Sequence, residues 1–506
     1  MRVVQNQQMQ IGEVDIGAIK FDPKSRDDIP KILRGLQHLY TQLPIRSAIF
    51  ELLETRLSPP EVNKNTGRPG MTLWSIFVCG VVRLDLNIDY DRLHELANKH
   101  TDLRAMLGHG MFNETYYHHQ TLQDNVGMFT LELLDEVNQV VVNAGHVLIG
   151  PSLAKKKADE ALGGRCDSFV VKTDIHFPTD VSLLFDAMRR VITLVAQWCE
   201  ECGLSDWRQS AYNVRRLKRL LRTVQNKKRS KAQSDEKKAT NDAAILDAYK
   251  EYLALANHYL AKAKQTLVTL AAQEKTDNGV VPKQREIEHF MQHAARQSDQ
   301  TTRRVIHGEV IPHAEKVFSI FEQHTEWVSK GKAGVPVEFG VKVCVLEDQH
   351  QFILHHQVME KQTDDQVAVS MVTQAKKRFA KLNACSFDKG FHSQDNQEEL
   401  AKHLEQVTLP RKGKLSQQAK AVEQSEDFTK ARRAHSAVES AINALGIHGL
   451  DKCPDHGIDG FKRYVALAIV ARNIHRIGHI LWQQEQQQLA REAKRTKCDP
   501  PDKLAA

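Results

Sequence analysis

The sequence predicts an α/β protein: a split core of strands and helices, preceded by an all-helical N-terminal domain and interrupted by a long helical insertion. Three observations carry this expectation. Runs of β-forming residues occur in two places far apart, around 165–185 and across 305–410, where they alternate with helical patterns. Residues 1–150 show helical apolar spacing over most of their length. Residues 208–300 are helical again but very polar, so they interrupt the α/β part rather than contribute strands to it.

Taken in order, Ile29 to Arg56 has helical periodicity and is expected to end at Pro59–Pro60. After the GRPG punctuation at Gly67–Gly70, Leu73 to Leu84 reads as a buried helix. Tyr90 to Asn98 and Leu103 to Leu107 read as shorter helices, and Leu122 to Val147 as a long one. Such a row of helices suits a DNA-reading bundle as well as any helical domain, so 1–150 is a candidate DNA-binding domain. Phe169, Val170 and Val171 are β-formers flanked by Asp167 and Asp174, which predicts a strand carrying acids. It runs into a turn at Pro178 and then a helix over about Asp180–Cys202.

The insertion opens on a basic run. Arg215, Arg216, Lys218, Arg219, Arg222, Lys227, Lys228, Arg229 and Lys231 fall within seventeen positions with no acid between them. A solvated helix face is the simplest reading, but the length and purity of the run favour contact with a polyanion. Ala239 to Ala272 and Lys283 to Arg304 follow as long helices.

Strands return at Val317–Phe321, Val337–Leu346, Phe352–Val358, Ala384–Phe387 and Val407–Leu409, with helices over Val367–Leu382 and Gln397–Leu404. Asp388 directly follows one of these strands, in CSFDKGFHS. Ala431 to Gly478 then reads as a helix, a turn and a second helix. Val438, Ala441, Ile442 and Leu445 form an apolar stripe, beside a polar row of Arg432, His435, Glu439 and Asn443. Gly446, Gly449, Pro454, Gly457 and Gly460 are expected to break the chain. Phe461 to Leu481 resumes as a largely apolar helix bearing Arg463, Arg472 and Arg476, and the polar tail after Gln483 is expected to fray. The expected divisions are thus 1–150, 160–205, 206–304, 305–482 and 483–506.

A length of 506 residues suits about two to four domains. With 41% apolar and 26% charged residues, the composition is that of a soluble globular protein. The formal net charge of +7 leans mildly toward polyanions, and its clustering says more than the total. Eight scattered cysteines do not form a disulfide framework, and Cys199–Cys202 is a lone CxxC without a second pair or a histidine pair beside it. The N-terminus does not read as a signal peptide, and the longest apolar run, Leu73 to Val82, is too short to span a bilayer. A reducing, cytoplasmic setting without membrane is expected.

Three acids in this pattern suggest a shared metal site. Strands brought together in one sheet would place Asp167 or Asp174, Asp388 and Glu439 at neighbouring positions. Mg²⁺ prefers hard oxygen ligands and is held by a few carboxylates, keeping water and phosphate oxygens as its other ligands. Two such ions can activate a water or a 3′-hydroxyl and stabilise the leaving oxygen of an in-line displacement. Three crowded carboxylates would otherwise repel one another. Acids at strand ends also occur as ordinary turn and cap residues, so residue types alone leave the matter open.

Several stretches resemble bacterial insertion-sequence transposases of the DDE type, most nearly the ISNCY group. They are DSFVVKTDIHFPTDVSLLFDAMRRVI from Asp167, HTEWVSKGKAGVPVEFGVKV from His324, SFDKGFHSQDNQ from Ser386, and RRAHSAVESAINALGIHGLDKCPDHGIDGFKRYVALAIVARNIHRIG from Arg432. The helical region led by GRPG is similar to the N-terminal domain of such enzymes. The resemblance implies an RNase H-like catalytic core split by a helical insertion after its first strand. It also implies Mg²⁺-dependent cutting and joining of double-stranded DNA at the element's terminal inverted repeats, with Mn²⁺ as a substitute ion, by a homodimer or higher assembly on DNA in the bacterial cytoplasm.

Carried over by residue, Asp167-Ser168-Phe169 matches the family's first acid, with Phe169 where threonine is frequent, and Asp174 is the alternative in the same stretch. Asp388-Lys389-Gly390-Phe391 matches the second acid and its following basic-Gly-aromatic, and Glu439 is the helix acid. Related groups place an arginine four before that glutamate and a lysine seven after it; His435 and Gly446 stand there in this chain. Arg432, Arg433 and Lys452 are the substitutes at hand for holding a terminal phosphate. Arg215, Arg216, Lys218, Arg219, Arg222, Lys227, Lys228, Arg229, Lys330, Lys332 and Lys389 complete the expected DNA contacts. Trp327 is a candidate for stacking on a flipped base or, more simply, a packed aromatic. His176, His392 and His435 lie close to the acids in sequence. Two rival readings are a catalytically inactive, transposon-derived DNA-binding protein and another RNase H-like nuclease.

Overall fold

A computed structural model describes residues 3–5, 13–57, 70–153, 161–229, 235–273, 277–329 and 336–498. The protein is a mixed α/β chain, mostly helical, with one mixed sheet. It divides into two compact units, Met1–Asp174 together with Val328–Ala506, and Ile175–Trp327.

The first unit begins with α1 (Ile29–Thr41), α2 (Leu43–Leu57), α3 (Leu73–Asp85), α4 (Tyr90–Lys99), α5 (Thr101–Met106), α6 (His119–Val126) and α7 (Leu131–Leu153), followed by β1 (Leu162–Thr173). Thr72 caps α3 by accepting the Ser75 N–H at 3.1 Å, and every residue of that helix is buried. The helix expected over Ile29–Arg56 is two. Gln42 is extended, and Pro44, which has no N–H to donate, sits in the first turn of α2. The long helix expected over Leu122–Val147 is likewise two. Gly127 ends α6, and the Thr130 hydroxyl accepts the Leu133 N–H at 3.3 Å to start α7.

The second unit is wholly helical in its regular parts apart from the start of β2 (Glu326–Ser329): α8 (Asp180–Glu201), α9 (Ser210–Arg229), α10 (Asp235–Gln273) and α11 (Asp277–Val305). It has its own core, built from α8 residues such as Leu184, Met188, Ile192 and Trp198 against Leu217 and Leu221 of α9 and Tyr249 and Tyr252 of α10. Helix α8, expected as part of the α/β core, therefore belongs to the insertion. Its Thr179–Ser182 capping box starts it only six residues after β1 ends. The strand expected over Val317–Phe321 is absent. Ser319 accepts the Glu322 N–H at 2.9 Å in a local turn, and Ile320 is buried in the helical core.

The chain then re-enters the first unit with β3 (Val337–Asp348), β4 (Ile353–Met359), α12 (Asp364–Arg378), β5 (Leu382–Phe387), α13 (Gln394–His403), β6 (Gln406–Thr408), α14 (Gln417–Glu423), α15 (Glu426–His435), α16 (Ala437–Leu445), β7 (Lys452–Cys453) and α17 (Gly457–Cys498). The sheet runs β2-β3-β1-β5-β6, with β4 also on β3 and β7 on the end of β1. β1 is antiparallel to β3 and parallel to β5, and β5 is parallel to β6. Helix α12 packs on β3 and β4, and α15 and α16 lie over β5 and β1 respectively.

The boundary expected near residue 150 does not divide the hydrophobic core. Leu33, Phe77, Val141, Val343, Leu354 and Ile474 belong to one cluster. Two close approaches show how tightly α1 is docked on α17. A Cβ on Gly35 would meet the Ile474 carbonyl oxygen at 2.3 Å, and one on Gly478 the Lys31 carbonyl oxygen at 1.9 Å. Inside, Asn473 accepts the Ile353 N–H at 3.0 Å, and Asn473 and Asn138 both donate to the Ile353 carbonyl at 3.0 Å. This buried pair fixes the start of β4 against α7 and α17. From Gln483 to Cys498 the chain continues as helix instead of fraying, and the rest of the tail lies outside the described residues. The residues of this helical stretch are good helix formers, and Gln486 donates to the Pro23 carbonyl at 2.8 Å while Glu485 pairs with Arg34. No helix among the described residues is long and apolar enough to cross a membrane.

Candidate active site

Asp167 stands in the middle of β1, not at its tip. The parallel register pairs Arg165 with Ser386 and Cys166 with Phe387, so the next step sets Asp167 beside Asp388, the first residue beyond β5. Neighbouring strands run about 4.8 Å apart and in-register side chains point to the same face. Two acids 221 positions apart in the chain are thereby made lateral neighbours.

Helix α16 brings Glu439 over this edge in its first turn, and the charge of Glu439 acts on Asp167. Burial first, then the charges of Asp388, Asp364 and Glu439, push the Asp167 carboxyl up to about 6, against the pull of the Ser168 N–H that donates to Asp167 Oδ1 at 2.7 Å. Asp388 and Glu439 are themselves exposed, so the cluster opens to solvent. Asp174, the alternative first acid, is placed elsewhere. At about 3.3 Å per residue it lies roughly 20 Å along from Asp167, past the end of β1. There it is exposed and paired with Lys452 at 2.6 Å.

The helix expected through Ala431–Leu445 is interrupted at Ser436, so Arg432, Arg433 and His435 ride on α15 and Glu439 on α16. His435, four residues before Glu439, meets Ser386 Oγ through Nδ1 at 3.0 Å. Burial lowers its pKa while the charges of Asp388 and Glu439 pull the other way, so it belongs to the acid cluster. Gly446, seven residues after Glu439, is the helix C-cap. Arg432, Arg433 and Lys389 are exposed. Lys452 is engaged by Asp174. His392 follows the turn after Asp388, where burial and then Arg411 and Lys412 lower its pKa. Lys412 donates to the Gly390 carbonyl at 2.8 Å, so the RKGK loop closes over the same turn. His176 belongs to the other unit, where its Nε2 lies 3.4 Å from Asp186.

Sequence reasoning missed Asp364. It sits in the first turn of α12, accepts the Ser168 hydroxyl at 2.7 Å and pairs with Lys342 at 3.3 Å. From sequence it looks like an ordinary helix-start acid after the Thr363 cap, and only the register of β1 and β3 shows its neighbours. Arg165 was missed for the same reason. It reaches Glu347 at 3.6 Å across β3, and burial pushes that glutamate up to about 7.

On α9, Leu217, Leu220, Leu221 and Val224 are buried while Arg215, Arg216, Lys218, Arg219, Arg222, Lys228 and Arg229 are exposed. Lys227 is half-buried and donates to the Ala244 carbonyl at 3.2 Å. Lys231, Lys330 and Lys332 lie outside the described residues, as does most of the GRPG stretch. Trp327 packs on Phe318 and His313 with ring centroids 5.7 Å from each. Cys199 is buried in the core of α8, and the CxxC belongs to no metal-capable group among the described residues. No family model matches this chain, and neither a curated protein nor a solved structure is found similar to it.

Proposed function

We propose that the chain is a DDE transposase, which cuts and joins DNA at the ends of an insertion sequence. The observation that carries this reading is the convergence of Asp167, Asp388 and Glu439, from the middle of β1, the end of β5 and a helix, on the edge left where β5 stops beside β1. Surrounding features agree with it. The first acid lies on a central strand, and the chain leaves after that strand for a helical insertion and then returns. An antiparallel pair flanks β1 on one side and two parallel strands on the other, in keeping with an RNase H-like core.

The donor set fits a hard divalent cation. The groups are all carboxylates, and the burial and then the neighbouring acids that raise the Asp167 carboxyl are what such an ion offsets. Asp167, Asp388 and Glu439 would hold Mg²⁺, with Mn²⁺ as a substitute. The bound ion would supply Lewis-acid activation of the attacking oxygen and stabilisation of the leaving one. The chain's own residues do the rest. The Ser168 N–H orients the Asp167 carboxylate, and the Ser386–His435 pair lies beside the cluster, where the charges of Asp388 and Glu439 act on His435. Lys389, Arg432 and Arg433 give the open side positive charge for a phosphate backbone. The products are a 3′-hydroxyl and a 5′-phosphate at the element end, and attack of that hydroxyl on a target phosphodiester joins the strands. The exposed bases of α9 offer a separate surface for duplex DNA. DNA-borne assembly into a homodimer or higher oligomer belongs to the same proposal.

The experiment is cleavage of DNA carrying the inverted repeats that flank the reading frame, with Mg²⁺. Asp388→Asn and Glu439→Gln are expected to abolish nicking while leaving the circular dichroism spectrum unchanged. Cleavage that survives either substitution overturns the assignment. A mobility shift by the native protein without any nick would point to a DNA-binding descendant instead, and preference for RNA–DNA hybrids or four-way junctions to another nuclease.

A further inference from the structure

Outside the acid edge, one buried cluster mixes a carboxylate with imidazoles. Asp85, the last residue of α3, is fully buried. His448 comes from the turn between α16 and β7, and His475 from α17. Both Nδ1 atoms converge on one carboxylate oxygen, Asp85 Oδ1, at 3.2 Å from His448 and 3.0 Å from His475. His475 Nδ1 is also 3.1 Å from Asp85 Oδ2. Yet Oδ1 is buried without a hydrogen-bond partner, since neither ring N–H is directed at it. The two rings lie against each other with centroids 4.8 Å apart. A buried carboxylate oxygen that accepts no hydrogen bond, with two imidazole nitrogens aimed at its surroundings, calls for a third body.

We propose that Asp85, His448 and His475 form a structural site for a transition-metal ion, Zn²⁺ above all. The spacing suits it. Ligand atoms about 2.0–2.1 Å from zinc, at tetrahedral or octahedral angles, stand roughly 3.0–3.4 Å apart, and the nitrogen–oxygen separations here are 3.0–3.2 Å. Two imidazoles and a carboxylate are a borderline donor set that selects zinc over magnesium. This sets the site apart from the all-carboxylate edge. The Asp85 carbonyl oxygen, 2.6 Å from His448 Nδ1, is an orphan acceptor at the end of α3 and accepts the imidazole proton while the ion is away.

The location gives the ion a purpose. His448 lies in the turn that follows the Glu439 helix, and Gly449 beside it holds φ +96° with its carbonyl bonded by Tyr464 Oη at 3.0 Å. The ion ties this turn to α3 and α17, and so anchors the C-terminal end of α16.

The test uses the full chain, stripped with EDTA and titrated with Co²⁺ under excess Mg²⁺, which keeps the carboxylate edge occupied. Visible ligand-field bands should grow to one Co²⁺ per chain, be displaced by Zn²⁺, and vanish in His448→Gln and His475→Gln. Absence of the bands, or their persistence in both variants, overturns the proposal. Should those variants fail to fold, X-ray absorption on the zinc-loaded native protein decides. Two imidazoles with oxygen ligands support the site, whereas sulfur scattering would move the ion to cysteines such as Cys199 and Cys202 and refute it.

Discussion

Replacing Asp167 by asparagine should make the protein more stable and inactive at once. In the folded chain its carboxyl is raised from 3.8 to about 6, by burial and by the charges of Asp388, Asp364 and Glu439. A raised acid means that the fold favours the protonated form, so the native protein binds more protons than the unfolded chain between these two values. Stability then falls as pH rises through that window, with the full penalty present above pH 6 and none below about 3.8. A rise of this size corresponds to roughly 3 kcal/mol, and solvent access to the partly exposed cluster reduces this to about 1–2 kcal/mol. Asparagine keeps an Oδ1 to accept the Ser168 N–H, so only the charge is lost. The assay is thermal unfolding of native and Asp167→Asn proteins in EDTA across a pH series. For a unit of this size the variant should melt roughly 2–6 °C higher at about pH 7.5, and the gain should disappear near pH 4. Added Mg²⁺ should raise the melting temperature of the native protein and not of the variant. A variant no more stable than the native chain at neutral pH, or a gain that does not depend on pH, would refute the crowding argument.

Two further outcomes follow from the packing and the charge pattern. Asn473→Ala leaves the Ile353 N–H and Asn138 Oδ1 without a buried partner, so urea unfolding should show a loss of about 2–4 kcal/mol. Replacing exposed Arg215, Arg216 and Arg219 of α9 by alanine should leave the circular dichroism unchanged. It should flatten the salt dependence of duplex DNA affinity by about 0.9 for each phosphate no longer neutralised, as read by fluorescence anisotropy; an unchanged slope would remove α9 from the interface.

Local chemistry was legible in the sequence, and long-range register was not. The strand around Phe169–Val171, the insertion helices and the turn at Asp388 all declare themselves by composition and spacing within a window of a dozen residues. Helix breaks were missed where one residue decides them, at Gln42, Gly127 and Ser436, because helical spacing of apolar residues, or at Ser436 of the polar row, continues across each break. The strand expected at Val317–Phe321 failed for the opposite reason. β-forming residues make a strand only against a partner, and this segment is folded into a helical core. The N-terminal boundary was invisible because an apolar helix face looks alike whether it covers its own bundle or a sheet.

The choice between Asp167 and Asp174 shows what register adds. Both acids flank the same β-forming run, but Asp167 lies mid-strand and Asp174 past the strand's end, roughly 20 Å away. Only the pairing of Cys166 with Phe387 says which of them meets Asp388. Pairing of β1 with β3 and β5 likewise sets Asp364, from a separate helix, against Ser168, and His435 against Ser386. A one-residue slip of β5 on β1 would turn Asp388 to the other face and leave Asp167 with no acid beside it. The buried side chains of β1 and β5, Cys166 and Cys385 with Phe387, therefore do more than fill the core. They hold the register on which the acid cluster depends, so substitutions there should act on the proposed metal-dependent chemistry through that register.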